Sequence, residues 1–170
     1  MTDTNVTPPP GTPQPASPQL IMNAQYVKDL SFENPRAPQS LMPQAQAPEI
    51  KLDVRVDAKN LAPDAFEVTL AITARAARKE EPVFLVELTY AGVVTLQNVP
   101  REHAQFFVLV ETPRLLFPFA RAILADATRD GGFPPLFIQP IDFAELLRRQ
   151  QQAQAASVPP ALAGAPAGNA

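Results

Sequence analysis

The 170-residue chain contains no cysteine and no tryptophan, and only six of its residues are glycine. The absence of cysteine excludes disulfides, thiolate metal sites and a cysteine nucleophile. Three of the six glycines lie near the chain ends, so the sequence has no glycine-rich phosphate-binding loop. The longest uninterrupted apolar run, residues 106–110, is far too short to span a bilayer. These absences exclude several classes of enzyme and membrane protein.

Basic charge is also scarce. The formal net charge is −3, the isoelectric point is about 5.1, and no basic stripe concentrates the 14 lysines and arginines. Nucleic acid is therefore not an expected partner. The first residues lack a basic region followed by an apolar stretch, so we expect no secretory signal and a cytoplasmic location.

The two ends of the chain have compositions that do not favour a folded structure. Residues 1–18 hold six of the 21 prolines and one charged residue, Asp3, while residues 151–170 carry no charge and consist mostly of Ala, Gln, Gly and Pro. Such segments bury too little apolar surface to offset chain entropy. We therefore expect disordered tails at 1–18 and 151–170 and one folded domain over 19–150.

Alternating apolar and polar residues predict strands over residues 20–33, 50–57, 66–75, 83–90 and 93–99. In the first strand the alternation slips near Val27 and Lys28. The Ala91-Gly92 pair is expected to form a tight connection between the last two strands. Residues 34–48 contain four prolines and are predicted to be a long extended connector.

After Pro100 the apolar residues recur at the spacing of a helix. We predict a short helix over 101–111, a break at Thr112 and Pro113, and a second helix from 117 to 130. Gly131 is expected to cap that second helix, and Asp142 to cap a final helix over 143–151. Strands followed by helices indicate an α+β fold. The helices are apolar on more than one side, which predicts an oligomer interface.

No constellation of residues supports catalysis. His103 is the single histidine, and the serines lie in the tails, the first strand or the connector, so we expect His103 to be a solvent-facing or interface residue. Asp126 and Asp130 share a helix face, but Arg121 and Arg129 are within reach, which favours solvated ion pairs over a metal site. We therefore expect no enzyme activity, no cofactor and no metal.

Four motifs occur in a fixed order along the chain. They are YVKDLSFENP at 26–35, PEIKLD at 48–53, FLVE at 84–87 and FPFARAILADATRDGGFPPLFIQPIDF at 117–143. In this combination the chain closely resembles the SecB family of bacterial protein-export chaperones. The resemblance covers about residues 23–150.

The resemblance implies a four-stranded antiparallel sheet with helices on one face, assembled as a dimer of dimers. It also implies ATP-independent capture of unfolded precursor proteins, which are kept translocation-competent and delivered to the SecA motor. Direct insertion into a membrane is not implied. Two alternatives remain: a chaperone of the same fold dedicated to a toxin–antitoxin system, and a structural oligomerisation domain with no client.

Two sets of site residues follow from the resemblance. In the family, acidic and apolar positions on the exposed sheet face bind the zinc-containing C-terminal tail of SecA. The zinc belongs to that partner. The matching positions here are Asp29, Glu33, Leu85 and Glu87. Without the resemblance, an ordinary solvated sheet face is the preferred interpretation of these acids.

The second set forms a long apolar groove for extended client segments beside the connector. Its predicted members are Leu41, Met42, Ile50, Leu52, Val54, Phe143 and Leu147. For each of them, plain core packing is a nearly equal alternative. Family members commonly carry a tryptophan in the connector, where this chain has Leu41-Met42-Pro43.

Overall fold

The computed structural model describes residues 17–43 and 46–157. Four strands form one antiparallel sheet in the order β1-β4-β3-β2. The strands are β1 (Gln19–Glu33), β2 (Glu49–Ala62), β3 (Ala65–Arg78) and β4 (Glu81–Gln97). The predicted α+β class with a four-stranded antiparallel sheet is thus confirmed.

The sheet has two chemically different faces. On β3 and the central part of β4, even-numbered side chains such as Leu70, Ile72, Val86 and Leu88 are fully buried beneath the helices. Odd-numbered side chains point the other way, because successive residues of a strand alternate. We call this second face, which the described helices leave uncovered, the open face.

The connector between β1 and β2 crosses the end of the sheet, because β1 and β2 are the two edge strands. Spanning three strand-to-strand spacings takes about 14 Å. The connector is not fully extended as predicted: a 3₁₀ turn at Gln39–Leu41 interrupts it. It passes the β3–β4 hairpin, where Arg36 pairs with Glu81 and Arg78 donates to the Gln46 carbonyl at 2.9 Å.

The predicted connection at Ala91-Gly92 is wrong, because β4 runs through both residues without a turn. Gly92 pairs with Gln25 on one side and Val68 on the other. A Cβ atom at Gly92 would lie only 2.9 Å from Leu116 Cδ2. The glycine therefore allows a helix to approach the strand closely and does not mark a turn.

The helical break predicted at Thr112 and Pro113 is also absent. Helix α1 (Arg101–Phe106) continues through a π-helical segment (Phe107–Glu111) into α2 (Thr112–Asp130), with Pro118 inside α2. The π segment widens the helix where Pro113 lacks an N–H group. Both the amide and the hydroxyl of Thr112 donate to the Phe107 carbonyl, the hydroxyl at 2.9 Å. The chain thus stays helical from α1 to the end of α2.

Helix α2 ends in a Schellman motif. Gly131 is the C-cap, and Gly132 adopts the left-handed conformation with φ of +87°. The Gly132 amide donates to the Arg129 carbonyl, and the Phe133 amide donates to the Thr128 carbonyl. The predicted end of the helix at Gly131 is confirmed, and the left-handed residue is the following glycine.

The last helix, α3 (Phe143–Ser157), begins where predicted but extends beyond the expected end at 151. Asp142 caps it by accepting a hydrogen bond from the Glu145 amide at 3.0 Å. The predicted disorder of 1–18 and 151–170 concerns mainly residues outside the described part of the chain.

An aromatic cluster joins the sheet to the end of α2. Phe84 lies 5.8 Å from Phe32 and 5.0 Å from Phe133, measured between ring centroids. Thr128, fully buried, accepts a hydrogen bond from the Leu136 amide and so holds the segment that leads to α3. Because Phe32 belongs to β1, this packing fixes which face the end of β1 presents.

Candidate functional site

The four residues predicted to bind SecA lie together on the open face. In the β1–β4 pairing, Glu33 is opposite Leu85, Ser31 is opposite Glu87 and Asp29 is opposite Thr89. Residues opposite each other in an antiparallel pair project from the same face. Asp29, Glu33, Leu85 and Glu87, which we call the acidic set, therefore form one patch across two neighbouring strands.

Polar side chains of β3 border the acidic set. Thr73 is opposite Glu87 and Arg75 is opposite Leu85. The Arg75 guanidinium lies 3.9 Å from a Glu87 carboxylate oxygen, and both side chains are about half exposed. An ion pair this loose and this exposed to solvent contributes little stability. Glu87 is therefore available to a cationic partner.

Two bulges in β1 determine where the acidic set points. The β1–β4 register shifts between Met22 and Ala24 and again between Val27 and Asp29. Each one-residue shift exchanges the faces of the side chains that follow it. After the second shift, Asp29 and Glu33 are on the open face and Phe32 is in the core. The slip predicted near Val27 and Lys28 is this second bulge.

Sequence reasoning missed a polar network beside the bulge. The Tyr26 hydroxyl donates to Glu67 Oε1 at 2.5 Å, and Lys28 Nζ donates to the same oxygen at 2.8 Å. Glu67 is on β3, so both side chains reach across β4, which separates β1 from β3. The predicted slip at Lys28 was a signal that this residue is displaced from the ladder, but nothing in the sequence pointed to Glu67 as its partner.

The network shifts the pKa of each member in the direction that favours the bonded state. The hydrogen bonds from Lys28 and Tyr26 lower the pKa of Glu67. The hydrogen bond to Glu67 raises the pKa of Lys28, and the same interaction raises the pKa of Tyr26. At neutral pH the network therefore holds an ammonium group, a carboxylate and a neutral phenol.

The predicted groove residues of β2 lie on the helix-facing side of the sheet. Ile50 pairs with Ala76, Leu52 with Ala74 and Val54 with Ile72. Yet Ile50 is 40% exposed and Leu52 is 45% exposed, because β2 is an edge strand that the described helices cover only in part. These side chains form an accessible apolar strip.

The other predicted groove residues fall into two groups. Leu41 and Met42, at the end of the connector turn, are 44% and 58% exposed. Phe143 is buried in the core at 2% exposure and packs edge-on against Phe117, while Leu147 is partly buried beside the core. As placed here, Phe143 supports the core beneath α3 and offers no surface to a client.

A polar cavity of about 460 Å³ adjoins the connector. It lies between the connector and the β3–β4 hairpin and is lined by Arg36, Gln39, Ser40, Gln46, Arg78, Lys79, Glu81, Pro82 and Val83. Its ion pair and its Arg78 hydrogen bond hold the connector to the hairpin. The cavity therefore lies where polar contacts hold the connector against the β3–β4 hairpin.

Of the two arginines expected to pair with Asp126 and Asp130, Arg129 does so, whereas Arg121 lies over the Phe117 ring. Arg129 pairs with Asp126 at 2.7 Å and with Asp130 at 3.4 Å, and all three side chains are exposed. His103 is exposed on α1. Within residues 17–43 and 46–157 no group of three or more His, Cys, Asp or Glu side chains is placed to hold a metal ion. None of the helices in that part of the chain is long and apolar enough to cross a membrane.

Comparison with known proteins gives a family match over most of the chain. The family model described as "Preprotein translocase subunit SecB" matches residues 13–154. The protein-export protein SecB of Nitrobacter hamburgensis is 52% identical over 156 residues, which cover 92% of this chain and 96% of that protein. The protein-export protein SecB of Maricaulis maris is 54% identical over 143 residues, which cover 84% and 83% of the two chains.

A solved structure shares the fold. The SecB-like chaperone Rv1957 of Mycobacterium tuberculosis, in complex with a ChAD peptide from the Rv1956 HigA1 antitoxin, has a TM-score of 0.60 and 17% sequence identity. The match covers 72% of this chain and 90% of the other. The sheet and helices described above, the family model and the close relatives agree: the chain belongs to the SecB family of protein-export chaperones.

Proposed function

We propose that the chain is a cytoplasmic, homotetrameric holdase that binds unfolded precursor proteins without ATP, keeps them translocation-competent and delivers them to SecA. The observation that carries the delivery step is the clustering of Asp29, Glu33, Leu85 and Glu87 on the open face. Their positions follow from strand register, so the patch is preorganised before a partner arrives.

The chemistry of the acidic set suits a basic, partly apolar peptide. Glu33 pairs directly with Leu85, and Glu87 is the next residue of β4 on the same face, while Asp29 lies farther along β1. Carboxylates in a contact attract a cationic partner and orient it, while an apolar side chain such as Leu85 excludes water. The zinc-containing tail of SecA is the partner we assign to this surface, and its zinc remains within SecA.

Client binding is assigned to apolar side chains on the opposite side of the sheet and in the connector. Leu41, Met42, Ile50 and Leu52 are each at least 40% exposed. An extended client segment buries such residues without requiring a specific sequence, and a flexible Met side chain adapts to different client residues. Several such strips in one tetramer would bind one client by avidity.

The tetramer explains the apolar surface that remains on the helices. Phe106, Leu115 and Phe119 are 46%, 49% and 49% exposed. In a dimer of dimers, helices from four subunits pack between two eight-stranded sheets and bury this surface.

A chaperone dedicated to a toxin–antitoxin system is the second candidate. The observation in its favour is the fold shared with Rv1957, which was solved with an antitoxin peptide. That likeness is at 17% identity, whereas the export proteins are more than 50% identical over most of the chain. A client-free oligomerisation domain, the third candidate, gives no reason for the acidic set.

The deciding experiment replaces Asp29 and Glu87 by alanine together. We expect binding to a zinc-loaded SecA tail peptide to weaken by about tenfold or more, because two charged contacts are removed. Suppression of aggregation of reduced lysozyme, measured by light scattering without nucleotide, should be unchanged. The matched control is Asp57→Ala, which removes a carboxylate from the open face on β2 and should alter neither readout.

Two results would contradict the proposal. Unchanged tail binding in the double variant would remove the delivery role. Failure of the unmodified protein to suppress aggregation at an equimolar ratio of tetramer to client would remove the holdase role and favour a dedicated or client-free protein.

A further inference from the structure

We propose that Glu67 is a positioning residue for the acidic set, which acts by holding the ammonium group of Lys28 away from the neighbouring carboxylate of Asp29. This inference rests on the proposed function, because it assumes that the acidic set binds a cationic peptide. Glu67 itself lies outside the set, on a different strand, and does not need to contact the partner.

The first step is the position of Lys28. It lies in the second bulge of β1, between Val27, which pairs with Tyr90, and Asp29, which pairs with Thr89. Lys28 therefore has no partner of its own in the described β1–β4 register, and its side chain is free of the alternation imposed by the ladder. Its ammonium group bonds to Glu67, an odd-numbered residue of β3, and so lies on the open face.

The second step is the competition for Lys28. Asp29 follows Lys28 directly and also projects from the open face. An unrestrained lysine beside a carboxylate on one surface pairs with it part of the time, which lowers the negative potential that a cationic partner meets. The bond to Glu67, at 2.8 Å, directs the Lys28 charge toward β3.

The third step concerns the Glu67 side chain, whose low exposure and hydrogen bond from Tyr26 hold its carboxylate in position to bind Lys28. Its side chain is only 15% exposed, whereas that of Lys28 is 47% exposed. The Tyr26 hydroxyl donates to the same carboxylate oxygen and fixes its orientation. The lowered pKa of Glu67 and the raised pKa of Lys28 agree with a persistent charged pair at neutral pH.

The experiment is a second-site rescue in the full-length protein. Glu67→Gln keeps the shape of the side chain and an acceptor for Tyr26 but removes the negative charge that pairs with Lys28. We expect the affinity for a fluorescently labelled, zinc-loaded SecA tail peptide to fall by about three- to fivefold at low salt, in the range of one exposed charge interaction. Adding Lys28→Gln should restore the affinity to within about twofold of the original, because the competing cation is gone.

Salt dependence and a matched control separate this mechanism from structural damage. The loss caused by Glu67→Gln should shrink as ionic strength rises, because exposed charges are screened. Asp57→Asn, which also removes one negative charge from the open face, should leave the affinity unchanged.

Each outcome has a defined meaning. If Asp29→Ala weakens peptide binding but Glu67→Gln has no effect, the inference is wrong and the proposed function stands. If Glu67→Gln weakens binding and Lys28→Gln fails to rescue it, Glu67 does not act through Lys28 and the inference is again wrong. If Asp29→Ala also leaves peptide binding unchanged, the proposed function is wrong, and the inference that rests on it is wrong as well.

Discussion

Gly131 and Gly132, at the end of α2, are required for two different physical reasons. A Cβ atom at Gly131 would overlap the ring of Phe32, although the backbone of Gly131 is ordinary, with φ of −72°. Gly132 instead has φ of +87°, a conformation that costs other residues about 1–2 kcal/mol. One glycine makes room for the core, and the other reverses the chain.

We predict that Gly131→Ala destabilises the protein by about 1–3 kcal/mol through overpacking. A Phe32→Leu background should reduce this penalty, because the smaller side chain leaves room for the new methyl group. The measurement is the free energy of unfolding from urea titrations. Gly132→Ala is the matched control, since backbone strain should be insensitive to the residue at 32. Equal penalties for Gly131→Ala in both backgrounds would contradict the packing argument.

At the scale of elements, apolar pattern identified the strands and helices but not their continuity. Gly92 and Pro118 resemble chain breaks in the sequence, yet β4 and α2 run through them. Local propensity is a weak signal that tertiary packing overrides. At Gly92 the strand continues because the glycine lets Leu116 pack closely against it. Near Pro113 the helix continues because the π-helical segment accommodates a residue that has no backbone N–H group.

The start of α3 was predictable because an N-cap depends on local sequence. Asp142 precedes the helix and accepts from the Glu145 amide, and this bond is the main reason its pKa is lowered. Since the folded pKa lies below the unfolded one, the stabilisation is present above the ordinary aspartate value of 3.8 and is lost as the pH falls below it.

We predict that Asp142→Asn flattens the acid side of the stability profile. Asparagine also caps helices but does not titrate in this range. The variant should therefore lose less stability than the original protein as the pH falls from about 4 to about 2, where a paired aspartate takes up its proton. Urea unfolding at several pH values provides the measurement, with Asp126→Asn as the control. Parallel profiles for Asp142→Asn and the original protein would show that the cap does not contribute.

At the scale of the whole molecule, exposed apolar side chains lie on the helices and along β1. Leu115 and Phe119 on α2 are each 49% exposed, and Val27 and Leu30 on β1 are 46% and 44% exposed. Strand β1 is also an edge strand of 15 residues. A long apolar edge of this kind invites pairing with another chain. Both surfaces are accounted for if the subunit functions only as part of an oligomer.

We predict a solution mass of four chains by multi-angle light scattering, and a smaller assembly for Leu115→Asp. A buried aspartate without a partner disfavours the interface between helix layers, so this variant should dissociate toward dimers. Met42→Asp, a charge placed on an apolar connector residue, is the control and should keep the mass of four. A monomeric original protein would overturn the proposed assembly.

The sequence by itself determined the fold class and the family, and through the family resemblance it predicted the members of the acidic set. It did so because alternation, capping residues and ordered motifs are local properties of the chain. The tertiary structure decided that Asp29, Glu33, Leu85 and Glu87 share one surface, because this depends on two bulges and on Phe32 packing into the core. It also decided that Lys28 binds Glu67, a residue 39 positions away, since only the strand order β1-β4-β3 brings the two charges together.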